Sequence, residues 1–175
     1  MNDYEDEQVA KVPASKRGVA FLCDVVLIFV ASVLITTVMH LIDLVVPLLT
    51  RYLSQVLIAC LLLLIRDYFN SGRGFGKMFM GLEVVDYDTW ESPSIMQSIK
   101  RNIFLFAPVI MAELVQIILF VLPKGAWGSW ITLALTVLGG IYVFVILPLE
   151  FVVYNKSEEG RRLGDLFANT IVIES

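Results

Sequence analysis

The sequence predicts an all-α integral membrane protein: four transmembrane helices, a short cytoplasmic loop with a β-hairpin element, and interfacial helices. Three observations predict it. Of the 175 residues, 58% are hydrophobic and 17% charged, with a mean hydropathy of +0.79, whereas soluble domains run at roughly 45–50% apolar and 25% charged. Four apolar runs are each long enough to cross a hydrocarbon layer of about 30 Å. Eleven of the thirteen Lys and Arg fall in segments that these runs place on one side. A soluble domain of this length cannot hide so much apolar surface, which excludes a soluble enzyme and a disordered chain. The net charge of −4 supplies no basic field for nucleic acid.

Residues 1–15 are acidic and polar and read as a disordered tail, without the basic start and apolar core of a signal peptide. Residues 16–175 form a single domain. The spans fall at about 18–42, 46–65, 102–122 and 127–153. The first is interrupted by Asp24 and His40, and the second carries Pro47 and a shallow Arg51. The third carries Pro108 and Glu113, and the fourth Gly139-Gly140, Pro148 and Glu150. Trp127, Trp130 and Tyr154 mark the interfaces. Between the second and third spans, SGRGFG is a flexible entry, KMFMGL an amphipathic surface piece, and LEVVDYDTW a strand with a polar turn. Ser92-Pro93 has the form of a helix start, serine capping and proline first inside. In the C-terminal segment, GRRLGDLFAN suits an interfacial helix and TIVIE a strand able to pair with LEVVD. Cys23 and Cys60 sit inside apolar runs and read as small hydrophobes rather than a disulfide.

A charge inside a span costs about 2.5–3.5 kcal/mol on insertion scales, so each one has a reason. Arg17 and Asp24 lie seven residues apart on one helix face, roughly 10 Å along the axis. Asp24 suits either an interhelical ion pair or a coupling carboxylate that trades a proton for a cation. Glu113 and Gln116, one turn apart, suit either a monovalent-cation ligand pair or interhelical glue. No Cys/His cluster has zinc spacing, and GRGFGK lacks the strand and the hydroxyl residue of a phosphate loop. No nucleophile–base pair is apparent, so neither enzyme chemistry nor a cofactor is expected.

Three segments then resemble one family. RGVAFLCD (residues 17–24) is similar to the R-x-x-A-x-x-x-D opening of the RDD family, whose name records one arginine and two aspartates. GRGFGKMFMGLEVVDYDTWESPS (72–94) resembles its G-x-T-x-G-K-x-x-x-G-L-x-V-V-D…P-S segment, with Arg101 beyond. RRLGDLFANTIVI (161–173) resembles its closing D-L-L-A-G-T-x-V-V, which makes Asp165 the second aspartate. Gly74 stands where the family has threonine, and Asn169 where it has glycine. The resemblance implies a small multi-pass membrane domain, suspected of transport, with sodium/proton exchange in some members. It also implies that Arg17 and Asp165 meet at the inner interface; Arg17 pairing with Asp24, or Arg101 taking either aspartate, stays open.

The expected function is cation (sodium)/proton antiport through intramembrane carboxylates, with Asp24 or Glu113 as the cation site, by a homo-oligomer in the lipid bilayer. The alternative is a non-transporting scaffold, assembly or regulatory module working through its cytoplasmic loop and tail. The positive-inside bias places the protein in the cell (inner) membrane with both termini and the 67–101 loop cytoplasmic. Cysteines introduced at Ser94 and Ser129, in a chain lacking Cys23 and Cys60, test this. Ser129 should react with an impermeant reagent from outside and Ser94 only after permeabilisation; the reverse pattern overturns the orientation.

Overall fold

The structure, a computed structural model, describes residues 11–43, 53–121 and 127–175. Helix α1 (Ala14–Asp43) is followed by α2 (Gln55–Ile65), a short α3 (Phe75–Phe79) and strand β1 (Leu82–Asp86). Then come α4 (Ile95–Val121), α5 (Trp127–Lys156), a short α6 (Leu163–Ala168) and strand β2 (Thr170–Glu174). Among the described residues three helices, α1, α4 and α5, are long and apolar enough to cross a membrane. Helix α2 is apolar but spans 11 residues, about 16 Å at 1.5 Å per residue. The first part of the expected second span, with Pro47 and Arg51, lies outside the described residues, as does most of the acidic tail.

The boundaries move for physical reasons. Helix α1 begins at Ala14 because the segment before it is packed rather than free: Val12 is buried, and its carbonyl accepts a 2.6 Å hydrogen bond from the Tyr154 hydroxyl. Lys11 Nζ donates to the Tyr154 and Ser157 carbonyls at 3.0 and 2.9 Å, where the last carbonyls of α5 lack helical donors. Tyr154 therefore turns inward instead of joining an aromatic belt. Helix α4 starts at Ile95, not at Ser92-Pro93, because Ser94 and Gln97 form a reciprocal cap. The Ser94 N–H donates to Gln97 Oε1 at 2.9 Å, and the Gln97 N–H to Ser94 Oγ at 3.3 Å, the geometry of a capping box. Pro108 and Pro148 are accommodated inside α4 and α5.

The expected β-hairpin is not formed. Asp86 Oδ1 does accept from the Asp88 and Thr89 N–H groups, both at 2.9 Å, making the polar turn. The other expected pairing, LEVVD with TIVIE, is the one formed: β1 pairs with β2, antiparallel, with Val84 opposite Val172. The residues after the turn, DTWESP, are polar and proline-terminated and cannot supply an apolar ladder. Strand β2 can: Leu82, Val84, Val85, Ile171 and Val172 are all buried. Val12, Ala20, Leu82 and Val172 form one apolar cluster, so the two-stranded sheet clamps the base of α1.

Helices α3 and α6 turn their charges inward and their hydrophobes outward. In α3, Lys77 is buried while Phe75, Met78 and Phe79 are exposed; in α6, Asp165 is buried while Leu166 and Phe167 are exposed. That arrangement suits a helix whose outer face lies on lipid. The lipid-facing bands of the long helices are likewise bare, with Phe144 of α5 83% exposed. Helix α1 packs on α2 and α3, and α4 on α2, α5 and α6. Close approach of α3 to α1 requires glycine: a Cβ at Gly76 would lie 2.0 Å from the Ala20 carbonyl oxygen and 2.8 Å from the Asp24 nitrogen. Because those atoms are backbone, Gly76→Ala should destabilise the protein at the upper end of the roughly 1–3 kcal/mol usual for overpacking. Thermal unfolding in detergent measures it, and an unchanged midpoint would refute the contact.

Candidate functional site: a buried charge network

At one end of the bundle, ionic side chains from six segments converge. Helix α1 contributes Arg17 and Asp24, the chain after α2 contributes Arg66 and Asp67, and α3 contributes Lys77. Helix α4 contributes Arg101 with Asn102 and Ser98, α5 contributes Glu150, and the start of α6 contributes Arg162 and Asp165. Asp24, Asp67, Arg101 and Asp165 are each no more than 1% exposed. Burying an ion costs several kcal/mol unless it is paired and hydrogen-bonded, so the geometry has to supply partners.

Asp24 Oδ1 accepts a 2.7 Å hydrogen bond from the Gly76 N–H. Its Oδ2 lies 3.7 Å from both Arg66 Nη1 and Lys77 Nζ. Asp67 is paired with Lys77, accepts from Asn102 Nδ2 at 2.9 Å, and has Arg101 Nε at 3.6 Å and Arg66 Nε at 3.7 Å. Its own N–H donates to Ser98 Oγ at 3.2 Å, and Ser98 Oγ donates to the Leu64 carbonyl at 2.8 Å. Asp165 is paired with Arg17, with Arg101 Nε at 2.8 Å and with Arg162 Nε at 3.2 Å. It also accepts from the Arg162 N–H at 3.2 Å. Arg17 donates its other terminal nitrogen to the Gly160 carbonyl. Glu150 Oε1 accepts from the Gly164 N–H at 3.2 Å. A Cβ at Gly164 would sit 2.1 Å from the Arg101 carbonyl oxygen, so glycine lets α6 reach α4.

Burial favours the neutral form of both Asp67 and Asp165, yet their cations prevail. Lys77, Arg101 and Arg66 hold Asp67 well below the usual carboxylate range. Arg101, Arg17 and Arg162 do the same for Asp165. Burial pushes the Lys77 ammonium down to about 8, although Asp67 draws it up, so it remains charged at neutral pH.

The structure thus brings Arg17, Arg101 and Asp165 together and gives Asp24 different partners, Arg66 and Lys77. Glu113 lies elsewhere, twelve residues beyond Arg101 on α4, about 18 Å along the axis. It is partly buried and accepts a 2.6 Å hydrogen bond from Ser54 Oγ, while Gln116 is exposed on the helix surface. Among the described residues, no group of three or more His, Cys, Asp or Glu is arranged to hold a metal ion. Sequence reasoning missed Asp67 entirely and named none of Arg66, Lys77 and Arg162 as a site residue. The available signal was the adjacent Arg66-Asp67 pair immediately after an apolar run, where opposite charges side by side suggest engagement with the fold rather than with solvent.

Residues 11–169 match the RDD family, a stretch that contains every member of the network. No curated protein and no solved structure matches the chain.

Because both depressed carboxyls are ionised in the fold below their unfolded pKa of about 4, their stabilisation is complete above that pH. It is lost as the pH falls towards their folded values. Asp165→Asn leaves Arg17, Arg101 and Arg162 short of a counter-charge, and breaking a buried pair costs about 3–5 kcal/mol. Thermal unfolding in detergent should show a lower plateau at pH 7 and a smaller acid-dependent loss than the parent. An unaltered plateau would show that Asp165 does not hold the end together.

Proposed function

The chain belongs to the RDD family, and from that premise we propose a membrane transporter that exchanges a monovalent cation such as sodium for protons. The coupling carboxylate is Glu113. The observation that carries this reading is the pairing of Glu113 with a neutral hydroxyl, Ser54, at mid-helix in a span; among the described residues it makes no ion pair. A carboxylate so placed can alternate between a proton and a cation without breaking a salt bridge. Asp24, by contrast, is engaged by Arg66, Lys77 and a backbone N–H, and its role in this reading is to lock the cytoplasmic end. In one copy no residue of the most apolar stretches of α4 and α5 is fully buried, which supports a pathway formed between copies in a homo-oligomer.

A second reading, a scaffold or regulatory module, is favoured by an open groove of about 680 Å³ lined by Tyr68, Phe69, Asp86, Glu91 and Gln97. Its mix of aromatic and polar groups suits a protein partner.

Sodium-driven proton flux in proteoliposomes separates the two. The transporter reading expects Glu113→Gln to assemble normally and lose at least tenfold in flux. Asp24→Asn should lower assembly and thermal stability before it touches selectivity. Wild-type vesicles silent to every monovalent cation would favour the partner-binding module, and full flux in well-assembled Glu113→Gln would remove Glu113 from coupling.

A further inference from the structure

The charge network does not balance. Arg17, Arg66, Lys77, Arg101 and Arg162 are linked through ion pairs to Asp24, Asp67, Asp165 and Glu150. Even with every carboxylate ionised, five cations face four anions. All five cations line one cavity of about 40 Å³, whose remaining walls are apolar: Ala20, Phe21, Leu82 and Val172. No carboxylate residue lines it. The donors around it are not used up. Arg101 Nη1 is buried and, among the described residues, has no hydrogen-bond acceptor; Arg66 Nη1 is buried with Asp24 Oδ2 3.7 Å away, beyond hydrogen-bond distance. A guanidinium nitrogen out of water strongly prefers an acceptor, and one with negative charge most of all.

We propose that this cavity binds one small monovalent inorganic anion of about chloride size, held by Arg66 and Arg101 and enclosed by Lys77, Arg17 and Arg162. Size sets the class. One water needs about 10–15 Å³ on this measure, so 40 Å³ admits a halide or a few waters and excludes a nucleotide or a lipid headgroup. Charge sets the valence, since a single negative charge cancels the excess. The condition of Lys77 agrees with an excess of cations. Burial lowers its pKa most, and Arg66 and Arg101 lower it further against the pull of Asp67 and Asp24. The anion is a structural component of the charged end, and the assignment is independent of what crosses the membrane.

The test uses the purified full-length protein in detergent, with sodium gluconate replaced stepwise by sodium chloride at constant ionic strength. The unfolding temperature should rise and saturate with chloride, and bromide should substitute. Lys77→Met, which brings the network to charge balance, should weaken the chloride dependence at least tenfold. Glu150→Gln, which raises the excess, should strengthen it several-fold. Direct radiochloride binding to the wild type and to Glu150→Gln decides the matter even if Lys77→Met does not fold. Several results would overturn the site: equal stabilisation by gluconate and chloride, a rise that never saturates, or stabilisation by added phosphatidylglycerol but not by chloride. So would Lys77→Met and Glu150→Gln variants with wild-type chloride dependence.

Discussion

Arg101 is the side chain on which the charged end depends. Its Nε lies 2.8 Å from Asp165 and 3.6 Å from Asp67, and the residue is almost wholly buried. On one side of it stand Arg17, Arg162 and Asp165, which fasten α1 to α6. On the other stand Asp24, Arg66, Asp67 and Lys77, which fasten α1 to α3 and to the end of α2. Without the shared guanidinium these would be two separate ion clusters, and Asp67 and Asp165, both cut off from water, would each lose a partner. Such groups are individually expensive to bury, so their value lies in specifying one arrangement rather than in adding stability.

That requirement explains the inverted helices. A short segment lying on a membrane surface would ordinarily turn its charges to water. Lys77 and Asp165 instead point inward, because their partners are inside, and the displaced hydrophobes Phe75, Phe79 and Phe167 become the outer face. The two-stranded sheet completes the arrangement. Strands β1 and β2 follow α3 and α6 directly, so their pairing ties together α3, packed on α1, and α6, packed on α4, while burying the apolar cluster around Leu82.

The same physics separates Asp24 and Glu113, the two carboxylates that the sequence offers as cation sites. Asp24 lies at the charged end, within reach of two cations and an amide; its charge is spoken for. Glu113 lies farther along α4 beside a hydroxyl, where protonation changes the charge of the site without dismantling an ion pair. A carboxylate that holds the fold together cannot lose its charge without loosening an ion pair, whereas one with a neutral partner carries no such constraint.

By itself the sequence determined the membrane class, three of the four spans it expected as long apolar helices, the two strands, the two short helices before them and the family. These follow from composition, from apolar length and from short motifs, all local properties of the chain. Tertiary structure decided which charge meets which. Arg17, Arg66, Lys77, Arg101 and Arg162 all carry the same charge, so spacing could not tell which of them would reach Asp24, nor reveal that Asp67 would be buried at all. For the strands the sequence allowed two partners, a local hairpin and TIVIE, and the structure takes the second, more than eighty residues away, because the apolar face of TIVIE is what fits LEVVD. Ion pairing and strand pairing are long-range choices among chemically equivalent partners, and close approach at Gly76 and Gly164 selects one of them.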